Sequence, residues 1–219
     1  MAVGVIWLIA QYPGAMSQTA NVSQPRLVFF AGPVGSGKST LALQLADEQA
    51  AQGRRFRLFT YSDDTDQVVI KSQDGVSRAA VPVSAGFSFT DFIDGALSRG
   101  EIIDGLICDE CQFYSPAQIE ELAWLVDHYR LGVFCFGLLT NCATTLWTGS
   151  KRLVEVADRI EMMVDRPSCW CGRPGVHTAH VVDGQVVATR PAAKIGVPDG
   201  VRFQVLCREH HRLGQLGPN

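Results

Sequence analysis

Phe29-Phe30-Ala31-Gly32-Pro33-Val34-Gly35-Ser36-Gly37-Lys38-Ser39-Thr40 fits the pattern G-x-x-x-x-G-K-[ST] and joins two segments of opposite character. Before it, Leu27, Val28, Phe29 and Phe30 have the apolar continuity of a buried strand. After it, Leu41, Leu43, Leu45 and Ala46 begin a helical segment that closes at Gly53. Glycine-rich backbone at a helix start can turn successive N–H groups inward, where they hold phosphate at the positive end of the helix dipole. On that geometry Gly32, Pro33, Val34, Gly35, Ser36 and Gly37 cradle phosphates. Lys38 reaches the β- and γ-phosphates, and the Ser39 hydroxyl ligates Mg²⁺. Average residue usage gives the pattern by chance about once per hundred chains of this length. The strand before it and the helix after it make it rarer still. The chain is therefore expected to bind a nucleoside triphosphate.

Working outward, strand and helix signals alternate. Arg55 to Tyr61 alternates like a strand, and Thr90 is placed to cap a short helix ending at Gly100. Ile102 to Cys108 is a second buried-strand candidate. Ser115-Pro116-Ala117-Gln118 has the serine, proline and glutamine of a capped helix start, followed by Ile119, Leu122, Ala123 and Val126 on one stripe. Gly132 to Leu138 is a third strand, Ser150 opens another helix, and Ile160 to Val164 is a last strand. Strands separated by helices predict an α/β fold: a parallel sheet with helices on both faces around the phosphate loop. Past Pro167 the composition turns to Gly, Pro, Cys and His with short strands, so a small appended unit is expected. The boundaries read as an unstructured extension over residues 1–24 (with Met16 an alternative start), a nucleotide-binding domain over 25–166, a metal-clipped unit over 167–213 and a tail over 214–219.

The 219 residues can bury a full core. A formal charge of -3 excludes an electrostatic nucleic-acid binder, which needs a basic face. No apolar run approaches the roughly 20 residues that span a bilayer, so no membrane role is expected. Seven unevenly spread cysteines do not make a disulfide scaffold; three of them, with nearby histidines, lie after residue 165 and point to a metal in a reducing cytoplasm.

Leu106-Ile107-Cys108-Asp109-Glu110 is an apolar strand ending in two carboxylates. The C-terminal edge of a parallel sheet faces bound phosphates, which makes Asp109 a candidate for Mg²⁺ alongside Ser39. Strand alternation would turn Glu110 to the opposite side, free to act as a general base. The string Asp109-Glu110-Cys111-Gln112 also matches a helicase box, but a helicase needs two such cores and a basic channel. Cys108 and Cys111 form a C-x-x-C spacing that is read as two small buried hydrophobes.

Cys169-Trp170-Cys171-Gly172 and Cys207-Arg208-Glu209-His210-His211 supply two thiolates from one turn and a Cys-x-x-His pair from another. Four such ligands close a tetrahedral Zn²⁺ site with no open position, which is a structural role. His210 has the better spacing for the fourth place, with His211, His177 and His180 as rivals.

Together these blocks resemble the zinc-containing, cellular type of the thymidine kinase family. The resemblance also draws on Phe136-Gly137-Leu138, Thr140 and Trp147-Thr148-Gly149-Ser150, and covers residues 26–212. It implies phosphorylation of the 5′-hydroxyl of thymidine by ATP, with Glu110 as the catalytic base. Gln112 joins the ATP-binding set. Leu138, Cys142, Trp147, Ile195, Gly196, Val197 and Phe203 surround the pyrimidine deoxynucleoside, the last four in a lasso. It further implies a homotetramer. Four departures stand out: Ser62-Asp63-Asp64 lacks the family's Asp-x-Arg arginine, Thr140-Asn141-Cys142 lacks an aromatic, and Gly196-Val197 and Phe203 replace a glycine pair and a tyrosine. The residues alone leave two other readings: an ATPase of the recombinase type, in which Glu110 activates water, and a non-catalytic nucleotide sensor.

Overall fold

The computed structural model describes residues 25–64, 68–187 and 201–218. The expected extension over residues 1–24 and the segment Ile195-Gly196-Val197 lie outside them. A six-stranded, all-parallel sheet runs in the order β5-β2-β6-β7-β1-β8. Its strands are β1 (Leu27–Ala31), β2 (Phe56–Tyr61), β5 (Val81–Val83), β6 (Gly105–Asp109), β7 (Gly132–Gly137) and β8 (Arg159–Met162). The helices are α1 (Lys38–Ala51), α2 (Phe89–Ser98), α3 (Pro116–Tyr129), α4 (Thr148–Val156) and α5 (Arg208–Leu213).

The two-residue period of the strands divides the core in two. Leu27, Phe29 and Ala31 of β1 pack with Leu106, Cys108, Val133 and Cys135 under α2, α3 and α4. Val28 and Phe30 turn the other way, with Ile107, Phe134 and Phe136, against Leu41, Ala42 and Leu45 of α1. Each fully buried Phe or Leu contributes about 1.5–3 kcal/mol relative to exposure. Burial on both faces explains why β1, β6 and β7 are continuous apolar runs rather than alternating ones.

The boundaries differ from expectation in instructive ways. Ser88, not Thr90, caps α2: its Oγ accepts the Asp91 N–H at 3.1 Å. Phe89 is wholly buried and belongs to the helix, so Thr90 lies inside the first turn, where its own N–H needs a partner. Glu121 of α3 supplies one, accepting the Phe89 and Thr90 N–H groups at 2.5 and 3.1 Å and placing a carboxylate at the helix's positive end. The box at Ser115 forms as read, with Gln118 N–H donating to Ser115 Oγ at 3.2 Å and Ser115 N–H donating to Gln118 Oε1 at 2.9 Å. Helix α4 begins at Thr148, ahead of Ser150. A hairpin of β3 (Val69–Lys71) and β4 (Ser77–Ala79) and the short strand β5 have too little apolar patterning to be read from sequence.

Beyond residue 166, β9 (His177–Val182), β10 (Gln185–Val187) and β11 (Val201–Leu206) form an antiparallel sheet in the order β10-β9-β11. Its core holds Cys169, Ala179, Leu206 and Cys207, with Leu216 packed against it. No helix among the described residues is long and apolar enough to cross a membrane.

Candidate active site and metal centre

Gly37 caps α1 in the left-handed region, at φ 77°, a conformation that glycine adopts without a Cβ clash. The turn brings Lys38 back over the loop, where its ammonium donates to the carbonyls of Gly32 (3.2 Å) and Pro33 (2.8 Å). Burial lowers the Lys38 pKa, while the charges of Glu110 and then Asp109 oppose that shift. One residue on, Ser39 Oγ donates to Asp109 Oδ2 at 2.7 Å. The loop after β1 and the end of β6 thus meet as the sequence anticipates. The hydroxyl and the carboxylate are the oxygen donors that Mg²⁺ takes.

The strand ends at Asp109, and Glu110 adopts φ 56°, a costly conformation for a non-glycine residue. Alternation along the strand therefore does not place Glu110; the turn does. Its carboxylate and that of Asp109 both interact electrostatically with the Lys38 ammonium. Asp109 Oδ1 accepts the Glu110 N–H at 3.0 Å. Gln112, fully buried, donates from Nε2 to Glu110 Oε2 and accepts the Leu138 N–H at 3.0 Å on Oε1. Both polar ends of the Gln112 amide are thus engaged within the protein. Burial raises the Glu110 pKa above the ordinary carboxylate range and the Asp109 charge adds to it, while Gln112 and Lys38 pull it down. Asp109 is likewise raised by burial, against the hydrogen bonds from Ser39 and the Glu110 amide.

The turn carrying Glu110 is pressed into place by the start of α4. A Cβ on Gly149 would lie 2.3 Å from the Cys111 carbonyl and 2.8 Å from that of Tyr114, so no other residue fits. Ser150 Oγ donates to the Leu138 carbonyl at 2.5 Å, and Trp147 meets Phe113 edge-on at 5.1 Å. Cys142 is buried, and its backbone hydrogen-bonds the His211 ring. Phe203, on β11, stands edge-on to His180 at 4.7 Å. Of the residues that the family resemblance assigns to the nucleoside, Leu138 and Trp147 thus border the Glu110 turn, whereas Cys142 is held to the C-terminal unit. Arg78, the first arginine after the Ser62-Asp63-Asp64 departure, pairs with Asp47 at 3.1 Å on the surface.

Sequence reasoning missed Gly149 as a support, because a close approach of backbone leaves no local signature. Cys108 and Cys111 are fully buried, Cys111 Sγ donates to the Cys108 carbonyl, and burial drives both thiols well above the usual range. They are core residues, as read.

The ligand atoms of Cys169, Cys171, Cys207 and His210 all lie within 4.8 Å of one another. Cys169 Sγ stands 3.3 Å from His210 Nδ1, and the Trp170 ring stacks on the His210 ring at 4.2 Å. Arg173 donates to Cys171 Sγ at 3.3 Å and lowers that thiol to about 6, so a thiolate is available at neutral pH. Three sulfurs and one imidazole suit a structural Zn²⁺. The rivals His177, His180 and His211 are outside the cluster; the first and last contact each other at 5.2 Å.

Parallel sheet, phosphate loop, strand-end carboxylates and a Cys/His cluster together define a P-loop α/β protein with an appended unit that carries a candidate metal site. The thymidine kinase family profile matches residues 25–211. A thymidine kinase of Cutibacterium acnes is 45% identical over 196 residues, 87% of this chain and 90% of that protein. Thymidine kinases of Streptomyces avermitilis and Streptomyces coelicolor are 40% and 39% identical, each covering 86% of this chain and 89% of the relative. The chain belongs to the thymidine kinase family and is a phosphotransferase.

Proposed function

We propose that the chain transfers the γ-phosphoryl group of ATP to the 5′-hydroxyl of thymidine, with deoxyuridine as a second substrate, giving ADP and the nucleoside monophosphate. The observation that carries the reading is the meeting of Lys38, Ser39, Asp109 and Glu110 at the end of the sheet, in a chain of this family.

The loop residues Gly32 to Gly37 and Lys38 hold the triphosphate, and Lys38 balances charge on the group in transfer. Ser39 and Asp109 would hold Mg²⁺ with the nucleotide, which supplies further neutralisation of phosphate charge when bound. Glu110 accepts the proton of the 5′-hydroxyl as that oxygen attacks phosphorus, a step worth about 10²–10⁴-fold. Its pKa, raised first by burial, makes the carboxylate a stronger proton acceptor than an exposed one. Gln112 orients that carboxylate from the Leu138 loop. Leu138, Cys142, Trp147 and Phe203, with Ile195, Gly196 and Val197, enclose the base. Cys169, Cys171, Cys207 and His210 would hold Zn²⁺, which clips the C-terminal unit together. A homotetramer in the cytoplasm completes the reading.

The test is ADP release by the purified chain with ATP and Mg²⁺, in the presence and absence of thymidine. Thymidine-dependent release is expected. Release at the same rate without nucleoside would indicate an ATPase, and no release in either case a nucleotide sensor.

A further inference from the structure

The tip of the phosphate loop is held by a residue 144 positions away: Val34 N–H donates to Thr178 Oγ1 at 3.2 Å. Thr178 is 6% exposed and lies in β9, paired with Val205 of β11, so its position is set by the small antiparallel sheet. Strand β11 runs on through Leu206 into the cluster residue Cys207, and its pairing ends at His177, next to Thr178. The same unit touches the loop again, since a Cβ on Gly35 would lie 3.3 Å from Pro167.

The peptide group between Pro33 and Val34 does two things at once. Its carbonyl accepts from Lys38 Nζ at 2.8 Å and from Ser36 Oγ at 2.8 Å, while its N–H donates to Thr178. A peptide is planar, so turning the N–H away from Thr178 also turns the carbonyl away from Lys38. Thr178 thereby fixes the peptide that leads into Gly35, Ser36 and Gly37, the stretch read from sequence as the phosphate cradle. Nothing else of the C-terminal unit donates to or accepts from the loop among the described residues.

We propose that Thr178 is a positioning residue for the phosphate loop, and that through it the metal-clipped unit sets the affinity for ATP. The inference rests on the reading that ATP occupies this loop. Calorimetric titration of the full chain with ATP and Mg²⁺, without nucleoside, tests it in wild type, Thr178→Val and Thr178→Ser. Valine keeps the shape and removes the acceptor; a neutral hydrogen bond of ordinary strength corresponds to about threefold to tenfold weaker ATP binding. Serine should restore affinity to within about twofold, which a purely packing role would not produce. Stripping the metal with a chelator should weaken the wild type by a similar factor, add little in Thr178→Val, and leave the parallel-sheet domain folded by circular dichroism. Unchanged affinity in Thr178→Val, or equal loss in both variants, overturns the positioning role. Unchanged affinity in stripped wild type, or unfolding of the whole chain on stripping, overturns the metal link. Failure of the untouched wild type to bind ATP would instead overturn the ATP reading, and this inference with it.

Discussion

The parallel sheet packs Phe29, Phe59, Phe89 and Phe136 out of water, with aromatic rings stacked and edge-on across its faces, whereas the fully buried cluster of the C-terminal unit is Cys169, Ala179, Leu206 and Cys207. One unit is stable because apolar area leaves water. The other has Cys169 and Cys207 as half of its buried cluster, so its core and its candidate metal centre are the same object. A cluster that small cannot offset the conformational entropy of ordering three strands. The difference teaches where each unit is vulnerable: the sheet to cavities, the knot to any change in its Cys/His cluster.

The largest effect should come from the knot. Structural zinc sites of this ligand type contribute about 10–16 kcal/mol of apparent binding free energy. Cys207→Ser should therefore lose the bound metal and hydrogen-exchange protection over β9 and β11, while β1, β6 and β7 stay protected. Elemental analysis of protein purified without chelator should find one zinc per chain. Absence of zinc there, or loss of protection in β1 along with β9, would break the division into two units.

Next in size is the reciprocal experiment. Phe29→Ala removes a wholly buried ring beneath α3 and should cost about 3–5 kcal/mol of global stability, read from the denaturant midpoint. Leu206→Ala, equally buried, should leave that midpoint nearly unchanged and speed metal release to a chromogenic chelator instead. Equal falls in the midpoint for both variants would show one cooperative core, not two.

In the proposed mechanism the proton-accepting residue belongs to the sheet unit. Glu110→Gln keeps the shape and most hydrogen bonding of the side chain but cannot accept a proton. A loss of about 10²-fold or more in kcat is expected, with ATP affinity retained. Rapid-quench measurement of the transfer step decides it, and a kcat near wild type removes Glu110 from the mechanism.

How far the sequence carried this account follows the same division. The phosphate loop and the Asp109 strand end were legible because their residue types are dictated by short-range chemistry: glycine for positive φ, lysine and serine for phosphate and metal. The meeting of Cys169, Cys171, Cys207 and His210 was legible from spacing, since a closed cluster needs two short loops of fixed reach. Three features were not legible. Ser88 rather than Thr90 caps α2 because Phe89 is drawn into the core, a tertiary decision. Glu110 leaves the strand's alternation because the chain turns left-handed at that residue. Gly149 and Thr178 act by approaching segments far away in sequence, and nothing in their own neighbourhoods records it.

The smallest expected effect sharpens the comparison within the active site itself. Glu110 can serve as a base only when ionised, so the rate should fall as pH drops through its pKa. That pKa lies above the usual carboxylate range, first because burial disfavours the charged form and then because Asp109 is nearby. The Gln112 amide works in the other direction: donating to Glu110 Oε2, it stabilises the carboxylate and lowers the pKa. Gln112→Leu removes that donor while keeping the space filled. The acid limb of the kcat/KM profile should then move toward neutral pH, and the plateau rate at high pH should fall well short of the hundredfold loss in Glu110→Gln. The Leu138 N–H also loses its acceptor, so some loss at every pH is expected from the shifted loop. Only the displacement of the limb separates the electrostatic role from that structural one. A pH profile that drops uniformly, with its acid limb unmoved, would make Gln112 a support for Leu138 and nothing more.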